Sequence, residues 1–332
     1  MRYHLLALAL AVALPLTALV SMNLYSGLRQ AEASGYLTVR SVAQDLKRDA
    51  EQFLAESKHL LELLAARPLV KAMNPKRCDP VAGEFRQLHP HYVNFSLRDL
   101  EGRLVCGDLS QPARNPVSVA EFDWFREGRQ RAEFTVSKAF FGQVTHKWVS
   151  VLTHPVRDDA RRVVGLLVLP VALDHFQRRI AQTVLPRGSV TALVDQAGAF
   201  LMYSNDPGKV GENMRGKEII DLVLRSERGE TKAAGVDAVA RIYSYETVSG
   251  AGWHVYAGIP EDSVSAASRA NAIEAISVSA MFLILVMGLA FLIGRRIQAP
   301  LRAIAGVTAE IARGNRAVRA WPDGNREIRQ AA

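Results

Sequence analysis

The sequence predicts an α+β chain: a long N-terminal helix, then two tandem units of antiparallel sheet, with an apolar run at each end. Three observations predict it. Ile276 to Ile293 gives about 18 residues without a charge, which at ~1.5 Å per residue crosses most of a bilayer's hydrocarbon core. From Leu28 to Met73 no proline occurs before Pro68, and Val39, Val42, Leu46, Ala50, Phe53, Leu54, Leu60, Leu61 and Leu64 recur in steps of three and four. That spacing is one buried stripe on a long helix. From Tyr92 the period changes to two, and one strand–turn–strand grammar appears twice, around Asp99-Leu100-Glu101-Gly102 and around Asp195-Gln196-Ala197-Gly198.

The ends set a topology. Leu5 to Met22 is the first apolar run, preceded by Arg2, and Leu19 to Leu24 offers no small-x-small cleavage signature, so it reads as an uncleaved anchor. Arg295-Arg296 closes the second run with the charge that marks a cytoplasmic flank. Two spans are therefore expected in a cell inner membrane, with both termini cytoplasmic and the body periplasmic. The net charge of +8 fits this picture. From Gly294 onward eight arginines face three acids, so the excess concentrates beside the membrane run, where it reads as topology and anionic-lipid contact. The bilayer is the expected partner, and nucleic acid is not.

The two cysteines, Cys78 and Cys106, both fall between the apolar runs. An oxidising compartment would let them pair, closing a loop of about 29 residues and stabilising the fold by ~3–4 kcal/mol. Two free buried thiols are the other reading.

After the first turn the sequence predicts a helical stretch and strands at Phe134–Phe141, Lys147–Val156 and Val163–Ala172; after the second, strands at Ala238–Glu246 and Trp253–Ile259. The strands are too closely spaced for a doubly wound parallel sheet, which needs a helix between successive strands. The expected boundaries are an anchor at 1–27, a stalk helix at 28–75, sheet units at 76–185 and 186–271, a second span at 272–294 and a linker at 295–332. Ser263 to Ala275 leads into the second span with no flexible linker.

This order resembles the double Cache extracytoplasmic sensor family. The resemblance is carried by Tyr92-Val93-Asn94-Phe95 through Cys106, Asp123-Trp124-Phe125, Val163-Val164-Gly165-Leu166 through Leu173-Asp174, and Leu193-Val194-Asp195-Gln196-Ala197-Gly198. It implies two PAS-like units, with signals bound in the membrane-distal one. The tail resembles the start of a HAMP linker. Pro300-Leu301 opens a helix with apolar Leu301, Ile304, Val307 and Ile311, and Asn325-Arg326-Glu327-Ile328 resembles the opening of a second. Pro300, Leu301 and Glu327 are thus the expected signal relay. A homodimer is expected, because HAMP coiled coils are dimeric.

Trp124 and Phe125 stand where the family places its ligand clamp, although core packing explains adjacent aromatics equally well. The amino-acid-binding branch carries an Arg-x-Trp-Tyr signature here and an acid on a later strand. This chain has Phe122-Asp123-Trp124-Phe125, and Pro170 aligns with the acid, so a free α-amino acid is expected to be disfavoured. Lys147, Trp148 and His154 lie on one predicted strand, and Tyr92, Asn94 and Arg98 are read as one face of another. Lysine and arginine beside aromatics suit a small anionic or carboxylate ligand; solvated strand-edge charges are the plainer reading. His154-Pro155 reads as structural. No spacing supports a metal, and no cofactor is implied.

No nucleophile elbow, phosphate loop, kinase set or zinc-hydrolase helix occurs, so the chain as given is not expected to be an enzyme. The expected role is the input half of a two-component kinase, diguanylate cyclase or chemoreceptor, with the output domain following. A membrane-tethered scaffold is the alternative.

Overall fold

The computed structural model describes residues 2–107, 118–142, 146–176 and 185–312. Two compact units result, Glu32–Val264 on the one hand and Met1–Ala31 with Ser265–Ala332 on the other. Helix α1 (Arg2–Ala65) runs unbroken through Pro15. It stops before Met73, because Pro68 holds Arg67 in extended backbone (φ −68°, ψ 135°) and then opens the short α2 (Pro68–Lys71). Val39, Ala43, Ala50, Phe53, Leu54, Leu61 and Leu64 are buried along α1, which is the predicted stripe with Val42, Leu46 and Leu60 at its margins.

After α3 (Val81–Leu88) comes the first sheet: β1 (Ser96–Asp99), β2 (Leu104–Gly107), β3 (Thr135–Val136), β4 (Phe140–Gly142), β5 (Lys147–Arg157) and β6 (Val163–Ala172), with helix α4 (Asp123–Arg131) inserted before β3. Its order is β2-β1-β6-β5-β3, with β4 also on β5, and all of its pairs are antiparallel. The second sheet contains β7 (Val190–Val194), β8 (Phe200–Tyr203), β9 (Arg228–Ala234), β10 (Ala240–Val248) and β11 (Trp253–Pro260) in the order β8-β7-β11-β10-β9, again antiparallel. Helix α5 (Glu218–Arg225) packs on it, and α6 (Glu261–Ala312) follows.

The two predicted turns are chemically the same. Asp99 Oδ1 accepts from the amides of Glu101 and Arg103, and Asp195 Oδ1 from those of Ala197 and Ala199. Gly102 (φ 76°) and Gly198 (φ 88°) take the left-handed position that each turn demands. One core joins α1 to both sheets: Phe53, Leu61, Leu152, Leu167 and Leu169 meet Leu193, Leu201 and Trp253. Cys78 and Cys106 are bridged, with Cα atoms 5.6 Å apart, tying the segment before α3 to β2.

Among the described residues no helix is long and apolar enough to cross a membrane. The run Ile276–Ile293 lies in α6, where Ala290 and Ile293 are outside the described side chains, and much of Leu5–Met22 is outside them too. Of the expected relay, Pro300 and Leu301 lie in the α6 backbone and Glu327 lies outside the described residues.

Candidate functional site

The candidate site is the face of the first sheet that α4 covers. Directly opposed residues of an antiparallel pair share a face, so the register assigns it. Ser96 pairs Val168, Arg98 pairs Leu166, Thr153 pairs Val168 and Thr135 pairs Thr153. Leu166, Val168 and Val151 form one cluster with fully buried Phe125, flanked by Trp124, Val119 and Phe140. Ser96, Arg98, Thr135 and Thr153 therefore lie on the Trp124 side. Helix α4 comes close because Gly128 has no side chain: a Cβ there would sit 2.5 Å from Thr153 Oγ1. Thr135 and Thr153 meet hydroxyl to hydroxyl at 2.5 Å beneath it.

Two polar groups give this face its chemistry. Trp124 Nε1 is buried and has no hydrogen-bond partner among the described residues, while its ring stacks on Phe122 with centroids 6.0 Å apart. An indole N–H in that state is a donor awaiting an acceptor. Arg98 is half-buried; it donates from Nη1 to Gly102 O (3.3 Å), and its Nε lies 3.5 Å from Ser96 Oγ. Burial pushes its pKa down and the neighbouring Asp99 pulls it up, yet a guanidinium stays charged. At the far end of the face, Lys147 pairs with Asp174 (3.4 Å).

The structure does not bring all the expected residues together. Strand alternation puts Lys147 on the α4 side and Trp148 and His154 on the other. Trp148 packs edge-on to Phe141 and directly over Gly211 of the second sheet's unit, a structural position. Tyr92 is likewise no neighbour of Arg98. Its hydroxyl meets Ser57 Oγ at 2.7 Å and its ring joins Phe53 and Phe85 in the α1 core. The period of two breaks at residues 93–95, because β1 begins only at Ser96, and partly buried Asn94 sits in that break. Ser96, Thr135 and Thr153 were missed; the step of two from Arg98 to Ser96 is the signal that finds the first.

The family profile of the Cache domain matches residues 28–268. The chain belongs to the Cache family. A search of curated proteins finds no match. Among solved structures, the extracellular domain of a candidate histidine kinase is similar at TM-score 0.59 and 19% identity, covering 70% of this chain and 97% of that one. The ligand-binding domain of Mlp24 with asparagine gives 0.55 and 16%, covering 74% and 99%. That of the Campylobacter jejuni chemoreceptor Tlp3 with L-valine gives 0.56 and 14%, covering 72% and 97%.

These neighbours correct one expectation about this Cache chain. A free amino acid was disfavoured because Phe122 and Pro170 stand where the signature arginine and acid would be. Asparagine and valine occupy the neighbours' domains, so this fold accepts free amino acids and the exclusion falls. The physical reason is that two positions do not exhaust the charges available. Arg98, opposite Leu166 of the Trp124 cluster, puts a guanidinium on the same face.

Proposed function

We propose that the chain is the sensing half of a transmembrane receptor. A small ligand bearing a carboxylate, free amino acids included, binds between α4 and the first sheet, with Trp124 Nε1 and Arg98 as donors. The observation that carries this reading is the buried, unpartnered Trp124 indole on the face that also holds Arg98. Charge-assisted hydrogen bonds from a guanidinium and an indole suit a carboxylate oxygen pair. The test is a thermal-shift screen of the purified full chain against amino acids, other carboxylates, polyamines and purines. A hit at a hundred times its Kd stabilises by about 2.7 kcal/mol. Trp124→Phe, which keeps the ring and loses the N–H, weakens that hit about tenfold, the scale of one hydrogen bond to a charged group. No hit in any class favours a scaffold and sinks the proposal.

The membrane part of the reading rests on side chains as well as sequence. Ile276, Met281, Ile284, Leu285, Leu289 and Phe291 of α6 are each at least half exposed and cover more than half of the helix circumference, which water does not favour and lipid does. On this reading the second span passes a shift into a HAMP-like linker and on to an output domain. The ligand biases the output only by its difference in affinity for two packing states, about 1.4 kcal/mol per tenfold change. Alkaline phosphatase fused after Ala332 is expected to be inactive and a fluorescent protein there bright; active phosphatase reverses the orientation.

A further inference from the structure

A second opening lies at the β3–β5 edge of the first sheet. It is a cleft of about 500 Å³ between the end of α1 and two tight turns. Ala65, Ala66, Phe134 and Pro155 give it an apolar floor. Its walls turn at Ala132 (φ 50°) and Arg161 (φ 63°), both in the left-handed region. Arg157 staples the two walls, donating from Nη2 to Ala132 O (2.9 Å) and from Nη1 to Arg161 O (3.1 Å).

The charges in the cleft do not cancel. A guanidinium has five N–H donors, and the staple uses two of Arg157's. Among the described residues no carboxylate pairs with Arg157 or Arg161. The lining acids are mostly engaged: Glu62 lies 3.9 Å from both Lys58 and His59, and Asp158 is held by Arg162 at 2.8 Å. Lys71 pairs with Asp159 at 3.6 Å, which leaves Glu133 as the opposing charge. His154, on the sheet side, has a buried Nδ1 without a hydrogen-bond partner among the described residues. Burial lowers its pKa, with Glu62 opposing the effect and Lys58 and Arg157 adding to it, so the ring beside the cleft adds no carboxylate-like charge to it.

We infer that this cleft is a binding site for a small organic anion, its carboxylate held by Arg157 and Arg161 and its apolar body laid on Phe134 and Pro155. The site is separate from the α4 face, yet Ala132 caps the same helix that carries Trp124. An occupant therefore bears on the far end of α4.

The experiment is a calorimetric titration of the full chain with benzoate, neutral benzamide and inorganic phosphate. Benzoate is expected to bind saturably and benzamide not at all. Arg161→Gln, at an exposed side chain, weakens benzoate about tenfold, as loss of a charge-assisted pair does, while Trp124→Phe leaves it unchanged. Binding that survives Arg161→Gln but falls in Trp124→Phe places the anion on the α4 face and overturns the inference. So does phosphate binding as tightly as benzoate, which would leave the apolar floor without a role, or an absence of saturable benzoate binding.

Discussion

His91 stands where three histidines meet, with ring centroids 6.1 Å from His89 and 5.2 Å from His175, and with Tyr92 4.1 Å and Phe53 5.8 Å away. Burial drives its pKa down to about 4, the charges of His175 and His89 push the same way, and Glu56 opposes them. The folded imidazole is thus neutral where an unfolded one titrates near 6.5. Between those values the unfolded chain binds more protons, so stability falls as pH drops from 6.5 towards 4. Solvent screening at a half-buried site keeps the loss to roughly 1–2 kcal/mol. Thermal melts between about pH 7 and 4 should show that decline, and His91→Gln should flatten it; equal slopes would remove His91 as its source. None of this was legible in the sequence. His89 and His91 are near neighbours in the chain, but His175 arrives from beyond β6, and Phe53, which touches His91 and His175, comes from α1. Long-range packing of that kind leaves no local period to read.

Helix α4 shows which elements a sequence reveals and which it conceals. Its two aromatics and a helical stretch near them were legible, whereas no pattern in the sequence singles out Gly128. In the structure that glycine is the contact: a Cβ would meet Thr153 Oγ1 at 2.5 Å and Thr135 Oγ1 at 3.4 Å. Gly128→Ala should therefore destabilise by ~1–3 kcal/mol through overpacking, despite the ~1 kcal/mol that alanine gains in helix propensity. A chemical denaturation midpoint that rises instead would show that α4 can lift off at no cost. Strand β9 was missed for a different reason. Arg-Gly-Glu-Thr-Lys-Ala-Ala carries almost no apolar alternation, and β9 is an edge strand where charged residues are tolerated. The predicted strand Phe134–Phe141 splits into β3 and β4 at Ser137, whose Oγ accepts from the Val151 amide (2.8 Å) and whose carbonyl accepts from Ser150 Oγ (2.8 Å). A serine that competes with the ladder breaks a run that periodicity alone would continue.

At the scale of the molecule, the duplicated turn was readable, but the use to which its second copy is put was not. Asp99 in the first turn is half-buried and pairs with Arg103. Asp195 in the second is buried at 1% exposure, and its spare oxygen, Oδ2, accepts from the Ala139 amide at 3.0 Å. Ala139 lies between β3 and β4, next to Phe140, which flanks the Trp124 cluster. One carboxylate thus fastens the edge of the candidate site to the unit built on the second sheet, alongside the Trp148 contact over Gly211. A ligand that moves Phe140 must strain this bond or carry the second unit with it. Asparagine at 195 keeps one oxygen for the turn amides and offers Ala139 an NH2 group, a donor facing a donor. Asp195→Asn should cost ~1–3 kcal/mol for the buried amide left unsatisfied. Hydrogen exchange at Ala139 should quicken while Ala197 and Ala199 stay protected. A ligand that stabilises the wild type should still bind the variant, but its protection of β7 and β8 against exchange should shrink. If protection of those strands persists undiminished, the coupling runs through the shared apolar core around Leu201 and Trp253 rather than through Asp195.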